Sequence, residues 1–300
     1  MPMNQLLEKE KEVITSIEKA VGGPIPEVSE LQYYVFGYKI EDNRISGLGL
    51  FSCGLKKIPM AITSLDHLRK LYLRGNQLSN ISFNFNPLSH LKVLDLSENQ
   101  LNSVPGSIKE LVSLKELHLE SNNLTDLPQS FINLSSLKFL DLSENKLKKI
   151  PSSLDKLTNL KILDLSGNNL SNFSDSLKSL INLEILYLGN NQFTSLPEST
   201  SSLVSLKRLN IRKNKLETLF TSIGSLKSLK TLFLKGNNIE NLPSSIGSLE
   251  NLKYFGLMEN QLSSLPESIG SLNNLDTLIL SSNSLKTLPE SIGNLENLTR

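Results

Sequence analysis

The sequence contains little that could crosslink a protein or give it a strong net charge. Its 300 residues include one cysteine, Cys53, and no tryptophan. A single cysteine excludes disulfides within the chain, which extracellular domains often use. Lys and Arg total 31 against 30 Asp and Glu. This balance gives no general attraction to nucleic acid or to an anionic membrane.

Long apolar segments are missing as well. No run approaches the roughly 18 apolar residues of a membrane span. Residues 1–20 carry Lys and Glu throughout, where an export signal would have an apolar run. The sequence therefore predicts a cytoplasmic protein that binds neither membranes nor nucleic acid.

Enzyme motifs are also absent. The sequence has no GxxxxGKS or GxxxxGKT phosphate loop, no GxGxxG after a strand, no HExxH and no CxxC. His118 lies near Glu116 and Glu120, but acid–base catalysis there would need a pocket and a third group, and neither is evident. We therefore expect no enzymatic activity and no cofactor.

An internal repeat dominates the sequence. The segment LKVLDLSENQL at 91–101 returns as LKELHLESNNL, LKFLDLSENKL and LKILDLSGNNL, in steps of 23 residues without an insertion. Cys53 stands one step before the first of the asparagines that mark the repeat. These asparagines are Asn76, Asn99, Asn122, Asn145, Asn168, Asn191, Asn214, Asn237, Asn260 and Asn283.

The LxLxxN motif predicts a short strand followed by a turn. Its two leucines are two residues apart and point to one side, which stacked copies of the strand can bury together. The asparagine amide both donates and accepts, so it can satisfy buried backbone groups. Cys53 is a small substitute at this position; the alternative is a redox or catalytic thiol, which a buried, unpaired cysteine rarely is. The LPxSIGxL half contains Pro and Gly, which favour turns or short 3₁₀ helices.

These motifs resemble the leucine-rich-repeat family, in particular its intracellular 23-residue class. Scribble-type scaffolds, plant intracellular Ras-group proteins and the repeat regions of Roco proteins are similar, although no GTPase domain follows within these residues. The resemblance implies an α/β solenoid: a right-handed horseshoe with a parallel, concave β-sheet and short 3₁₀ or turn segments on the convex side. It covers about residues 45–300, or about eleven repeats.

The first 44 residues read as a cap. Residues 4–20 have the apolar spacing of an amphipathic helix, which Gly22-Gly23-Pro24 ends. Residues 31–40 and 45–51 then read as a β-hairpin that leads into the first repeat. We expect 1–44 to cap the solenoid of 45–300, with a partner-binding helix as the alternative. No C-terminal cap is visible, so we expect that the chain continues past Arg300 or that another chain covers that end.

The residues beside the strand leucines are expected to form the binding face. Because the register is fixed, this face divides into an acidic zone and a basic, aromatic zone. Carboxylates stacked on adjacent strands could hold calcium, but the oxygen-rich loop of a calcium site is missing, so we expect no metal. The acidic zone contains Asp95, Glu116, His118, Glu120, Asp141 and Asp164, and the basic, aromatic zone contains Tyr187, Phe233, Tyr254, Met258, Arg208, Arg212, Lys213 and Lys235.

Three functions remain open at this point. The first is a non-catalytic scaffold for signal transduction, which binds protein partners through its concave face. The second is the recognition arm of a longer signalling enzyme, a GTPase or ligase, whose catalytic domain lies beyond Arg300. The third, a secreted receptor or adhesin, would need an export signal before Met1. We expect a monomer, although an uncovered C-terminal edge would allow end-to-end association.

Overall fold

A computed structural model describes residues 6–173 and 175–300. The chain divides into two compact units, Met1–Lys146 and Leu147–Arg300, here called the first and second units. Among the described residues, no helix has the length and apolar character that crossing a membrane requires.

The first unit begins with a helix, α1, over Glu8–Val21. Its predicted range of 4–20 is therefore shifted at both ends, and residues 1–5 lie outside the described residues. Gly22 ends the helix in the left-handed conformation, with φ 81°. The helix packs against the 3₁₀ helix Met60–Ser64 and buries Val13, Ile14 and Ile17. That this region caps a solenoid stays a prediction.

A buried carboxylate joins α1 to the first repeat. Glu10 is 1% exposed, and its two oxygens accept hydrogen bonds from Arg44 Nε and from the backbone N–H of Ile45, both at 2.7 Å. Arg44 also pairs with Asp66. Since a buried charge is costly unless it is paired and hydrogen-bonded, these contacts fix the helix at one place on the repeat.

The predicted hairpin is present but shorter than its pattern suggested. Strand β1 spans Gly37–Glu41 and pairs antiparallel with β2, Arg44–Gly49. Asp42 and Asn43 turn the chain with φ 52° and 61°, as a two-residue hairpin loop requires. Residues 31–36 are not part of the strand, because their apolar side chains pack onto other strands instead.

Each later repeat contributes one three-residue strand. In the first unit, β2 and the four strands that follow pair in parallel and in chain order. In the second unit, six strands do the same. The strands are β3 Lys70–Tyr72, β4 Val93–Asp95, β5 Glu116–His118, β6 Phe139–Asp141, β7 Ile162–Asp164, β8 Ile185–Tyr187, β9 Arg208–Asn210, β10 Thr231–Phe233, β11 Tyr254–Gly256 and β12 Thr277–Ile279.

Short 3₁₀ helices alternate with these strands. Most begin directly after the Pro of the LPxSIGxL half-repeat, whose fixed φ suits the start of a helical turn. Strands in register with 3₁₀ helices between them confirm the predicted fold class within each unit. Beyond Met60–Ser64, the 3₁₀ helices span Asn86–Leu88, Gly106–Glu110, Gln129–Asn133, Ser152–Lys156, Asp175–Leu177, Glu198–Ser202, Ile223–Ser225, Ser244–Ser248, Glu267–Ser271 and Glu290–Asn294.

The repeat asparagines link each repeat to the one before it. Asn76 Oδ1 accepts a hydrogen bond from the backbone N–H of Leu55 at 2.9 Å. Its Nδ2 donates to the carbonyl of Leu50 in the preceding repeat and to that of Leu73 in its own, both at 2.8 Å. The same three bonds recur at Asn99, Asn122, Asn145, Asn191, Asn214, Asn237, Asn260 and Asn283.

The glycine of LPxSIGxL has a packing role that the sequence reading missed. A Cβ on Gly247 would lie 2.2 Å from the carbonyl oxygen of Ser268 in the next repeat. Gly224 and Gly270 meet the backbone of Ser245 and Ser291 in the same way, at 2.4 and 2.3 Å. The glycine is therefore required because consecutive 3₁₀ segments touch through their backbones, and not only because it interrupts a regular helix.

The asparagine bonds predict a large and local stability effect. Asn237→Ala leaves the buried N–H of Leu216 without its partner. It also removes one of two amide donors from the carbonyls of Ile211 and Leu234, which still accept from Asn214 and Asn260. We expect the free energy of unfolding to fall by about 1–3 kcal/mol, the cost of one orphaned buried group. Urea unfolding followed by circular dichroism measures this. The exposed neighbour is the control: Asn238→Ala should change stability by less than about 0.5 kcal/mol.

The glycine contacts predict a difference between two equivalent positions. Gly247→Ala places a Cβ against the backbone of Ser268 and should lower the free energy of unfolding by about 1–3 kcal/mol through overpacking. Gly293 holds the same position in the last repeat, and a Cβ there meets nothing within 4 Å. Gly293→Ala should therefore be neutral. Equal urea midpoints for the two variants would contradict the close-contact explanation.

Candidate functional site

The side of each strand opposite the core leucines is the candidate binding surface, and we call it the strand face. The middle residue of each strand points into the core, so the first and third residues lie on the strand face. Leu117 and Leu209, for example, are fully buried at the middle of their strands. The two units carry different residues at these places, and their strand faces are described separately.

In the first unit the strand face is covered by the chain itself. Residues 31–35, which we call the crossing segment, connect the N-terminal helix region to β1 and lie over β2 to β5. Leu31 is 5% exposed and packs with Tyr72 and Val93, which are buried beneath it. The face predicted to be open to a partner is therefore covered over β2 to β4 by tertiary packing that the repeat pattern does not encode, whereas the side chains of Glu116 and Glu120 stay 43% and 32% exposed.

Tyr33 is the farthest-reaching residue of the crossing segment. Its ring meets Tyr72 edge-on with centroids 5.3 Å apart, and meets His118 edge-on at 5.0 Å. Its hydroxyl donates a hydrogen bond to Glu116 Oε2 at 3.3 Å. Burial, followed by the charge of Glu116, raises the pKa of Tyr33 to about 12. Two predicted partner-binding residues, Glu116 and His118, thus contact the chain's own tyrosine.

The aspartates of the predicted acidic zone bond within their own repeats. Asp95 is 1% exposed, and its Oδ1 accepts a hydrogen bond from the N–H of Ser97 at 2.9 Å. Asp141 accepts one from the N–H of Ser143 at 2.9 Å, and burial raises its pKa. In the second unit, Asp164 accepts the N–H of Ser166 at 2.8 Å. Asp95 is therefore inaccessible to a partner, which corrects its assignment to an open surface.

An arginine from the preceding repeat neutralises part of the negative charge in this region. Arg74 pairs with Glu98 at 2.6 Å and with Glu120 at 3.1 Å, and it lies over the ring of Tyr34, 5.2 Å from the centroid. The register of the repeats predicted an acidic zone here. It missed Arg74, which belongs to the preceding repeat and reaches across two repeats.

The second-unit strand face carries an aromatic pair. The rings of Phe233 and Tyr254 lie 4.8 Å apart at their centroids, with an interplanar angle of 49°. Both side chains are partly exposed, as are Tyr187 and Met258. Tyr187 lies two strands away from Phe233 and makes no ring contact with the pair in the part of the chain described.

Gly256 shapes this patch, and the sequence reading missed it. A Cβ on Gly256 would lie 3.0 Å from Cε1 of Tyr254 and 3.7 Å from Cδ1 of Phe233. The absent side chain therefore leaves room for both rings above the strand. The sequence contains this signal. At the strand position that Gly256 holds in its repeat, Gly49 is the other glycine among β2 to β12.

Basic side chains adjoin the aromatic pair. Arg208, Arg212 and Lys213 are exposed, and no ion pair involves them within residues 6–173 and 175–300. Lys235 differs, because it pairs with Glu259 at 3.1 Å. The second-unit strand face therefore combines apolar rings with positive charge that the chain does not neutralise.

The described residues offer no alternative site for metal chemistry. No group of three or more His, Cys, Asp or Glu side chains within them is arranged to hold a metal ion. Cys53 donates a weak hydrogen bond to the carbonyl of Phe51 at 3.5 Å, and burial raises the pKa of its thiol. A raised pKa disfavours the reactive thiolate.

Family models match most of the repeats. The model described as "Leucine-rich repeat region" matches residues 89–198 and 244–300, which together exceed half of the chain. Models described as "Leucine Rich repeats (2 copies)" and "Leucine Rich Repeat" match residues 181–226 and 228–249. A search of curated proteins finds no match.

Solved structures give the same result. A leucine-rich-repeat protein of Leptospira interrogans is 31% identical with a TM-score of 0.59, over 86% of this chain and 77% of that one. A TDR receptor is 33% identical with a TM-score of 0.75, over 84% of this chain but 46% of the receptor, so this chain spans less than half of it. An internalin, InlF of Listeria monocytogenes, is 22% identical with a TM-score of 0.61, over 99% and 96% of the chains, and shows the shared fold alone.

Sequence, structure and comparisons lead to the same family: the LxLxxN strands, the asparagine bonds between repeats, the family models and the Leptospira structure. This chain belongs to the leucine-rich-repeat family.

Proposed function

We propose that the protein is a non-catalytic scaffold that binds a protein partner through its second-unit strand face. Solenoids of this family are typical protein-interaction scaffolds. The surface itself is chosen on one observation. The aromatic pair Phe233–Tyr254 is partly exposed and lies beside basic residues that have no ion pair within the described residues.

The chemistry of this surface indicates the chemistry of the partner. Partly exposed aromatic rings gain most from burial against apolar groups and often dominate the energy of an interface. Arg208 and Arg212 supply planar guanidinium groups that bind carboxylates with two hydrogen bonds. The partner that fits is therefore a protein segment in which carboxylates flank an apolar side chain.

Location and larger context are part of the same proposal. A cytoplasmic setting is supported by the single, free cysteine, since disulfides prevail in oxidising compartments. The alternative, a recognition arm of a longer signalling enzyme, concerns residues beyond Arg300 and stays a prediction. Signal transduction likewise stays a prediction.

Removing the three aromatic side chains should abolish binding without unfolding the chain. A peptide library displayed on phage and selected on the wild-type protein should yield segments rich in Asp and Glu around an apolar residue. The triple variant Tyr187→Ala, Phe233→Ala, Tyr254→Ala should bind such a peptide with an affinity lower by more than about 30-fold. The reason is that hot-spot aromatics each contribute about 2 kcal/mol or more. Fluorescence anisotropy measures the affinity.

The control removes apolar surface outside the strands. Ile181, Val204 and Leu288 are 51%, 52% and 51% exposed, and changing all three to Ala should leave the affinity within about twofold. Charge is tested separately: Arg208→Glu with Arg212→Glu should weaken binding most at low salt. Selected peptides without acidic residues, or full binding by the aromatic variant, would show that the surface is misassigned.

A further inference from the structure

Two glycines make a depression in the first-unit strand face. A Cβ on Gly47 would lie 2.7 Å from Cδ2 of Leu31, and one on Gly49 would lie 2.1 Å from the carbonyl oxygen of Val35. Most other strands carry side chains at the positions that correspond to Gly47 and Gly49. Because β2 has none there, the crossing segment lies in the free space above it. Tyr72 and Val93 continue the apolar floor on the next two strands.

The crossing segment is held on this floor by side chains. Leu31 packs on Tyr72 and Val93, while Tyr33 contacts His118 and hydrogen-bonds to Glu116. The backbone hydrogen bond recorded for the segment, from the N–H of Val35 to the carbonyl of Gln32 at 3.1 Å, is internal to it. Among the described residues, no backbone hydrogen bond joins residues 31–35 to β2–β5. Releasing the segment would thus break side-chain contacts but no strand pairing.

Polar atoms near the segment are left without partners. Asp95 Oδ2 and Ser97 Oγ are buried and accept or donate no hydrogen bond within the described residues, and both residues are at most 1% exposed. Nε2 of His118, on the next strand, is in the same situation, since Glu116 is 4.0 Å away. Buried polar groups of this kind are costly, so the crossing segment does not match this face completely.

We propose that the first-unit strand face is a second peptide-binding site, which the crossing segment occupies as a tethered internal ligand. The ligand it takes from another protein is an extended segment with an aliphatic residue two positions before a tyrosine, the spacing of Leu31 and Tyr33. The aliphatic side chain lies over Gly47 and Tyr72, and the tyrosine hydroxyl bonds to Glu116. This site is separate from the second-unit surface, and the proposal does not depend on that surface.

The test frees the face and then offers the segment as a separate molecule. A fluorescent peptide with the sequence of residues 28–36, VSELQYYVF, is titrated against the full chain by anisotropy. Leu31 and Tyr33, whose side chains contact the strand face, are here called the anchors. The variant Leu31→Ser with Tyr33→Ser removes both anchors from the tethered copy and leaves the face intact. It should bind the peptide at least about tenfold more tightly than the wild type, because competition from the tethered copy is lost. A peptide with Ala at both anchor positions should not bind.

Matched controls separate release of the segment from general damage. Glu30→Ser with Gln32→Ser changes two exposed residues in and beside the same segment and should bind as weakly as the wild type. Gly49→Ala places a Cβ 2.1 Å from the carbonyl oxygen of Val35 but 3.2 Å from Cδ1 of Leu31, a distance that a small shift of the leucine relieves. It should therefore bind a shorter peptide that ends before Val35, SELQYY, more tightly than the wild type. Gly106→Ala, whose Cβ would meet nothing within 4 Å, is its control.

The outcomes decide the proposal in either direction. Tighter binding by both folded, segment-releasing variants, with their controls unchanged, supports it. It is overturned if either variant has the wild-type circular dichroism spectrum but binds its peptide no more tightly than the wild type. Adding the Tyr187, Phe233 and Tyr254 alanine changes should leave peptide binding unaltered, which keeps this test independent of the second-unit surface.

Discussion

The hydrogen bonds of the repeat asparagines hold this structure in register. Each asparagine occupies a buried N–H and a buried carbonyl of the preceding repeat together with a carbonyl of its own. An insertion between the strand leucines and the asparagine would move the amide away from these groups, and an unpaired buried N–H costs about 1–3 kcal/mol. The constant spacing of 23 residues gives every repeat the same register. It places equivalent residues of consecutive strands side by side, and every surface described above is a consequence.

The same geometry produces two different surfaces. In the first unit, Gly47 and Gly49 of β2, which pair with the first and third residues of β3, leave space that a neighbouring part of the chain fills. In the second unit, the glycine that ends β11 leaves space for the rings of Tyr254 and Phe233, which stay partly exposed. A missing side chain on the strand face thus marks a place where something else packs. In both units other residues of the chain fill the space: the crossing segment in the first and the two rings in the second.

The sequence predicted most of what is local and periodic. Strand positions, their pairing and the 3₁₀ helices follow from leucine, proline and asparagine spacing, because each depends on contacts between adjacent repeats. The crossing segment could not be predicted in this way. Residues such as Leu31 and Tyr33 have strand-forming character, and only the three-dimensional packing on Tyr72 and Val93 shows that they belong elsewhere.

The candidate site was predicted in part for the same reason. Register alone placed Phe233 beside Tyr254, and the structure brings these two rings into contact. Register could not show that Asp95 is buried. The crossing segment, which covers the strand face in this region, comes from outside the repeats. Nor could it show the reach of Arg74, whose long side chain ends two repeats from its own backbone.

Cys53 stands where later repeats have asparagine, and this makes the first repeat different. Its sulfur bonds only weakly to the carbonyl of Phe51, and it is partly accessible. As the single thiol of the chain, it is a natural reporter group at one defined end of the repeat array. Because the thiol is already partly accessible, a change in its alkylation rate reports a change in the exposure of that end, and no label site has to be introduced.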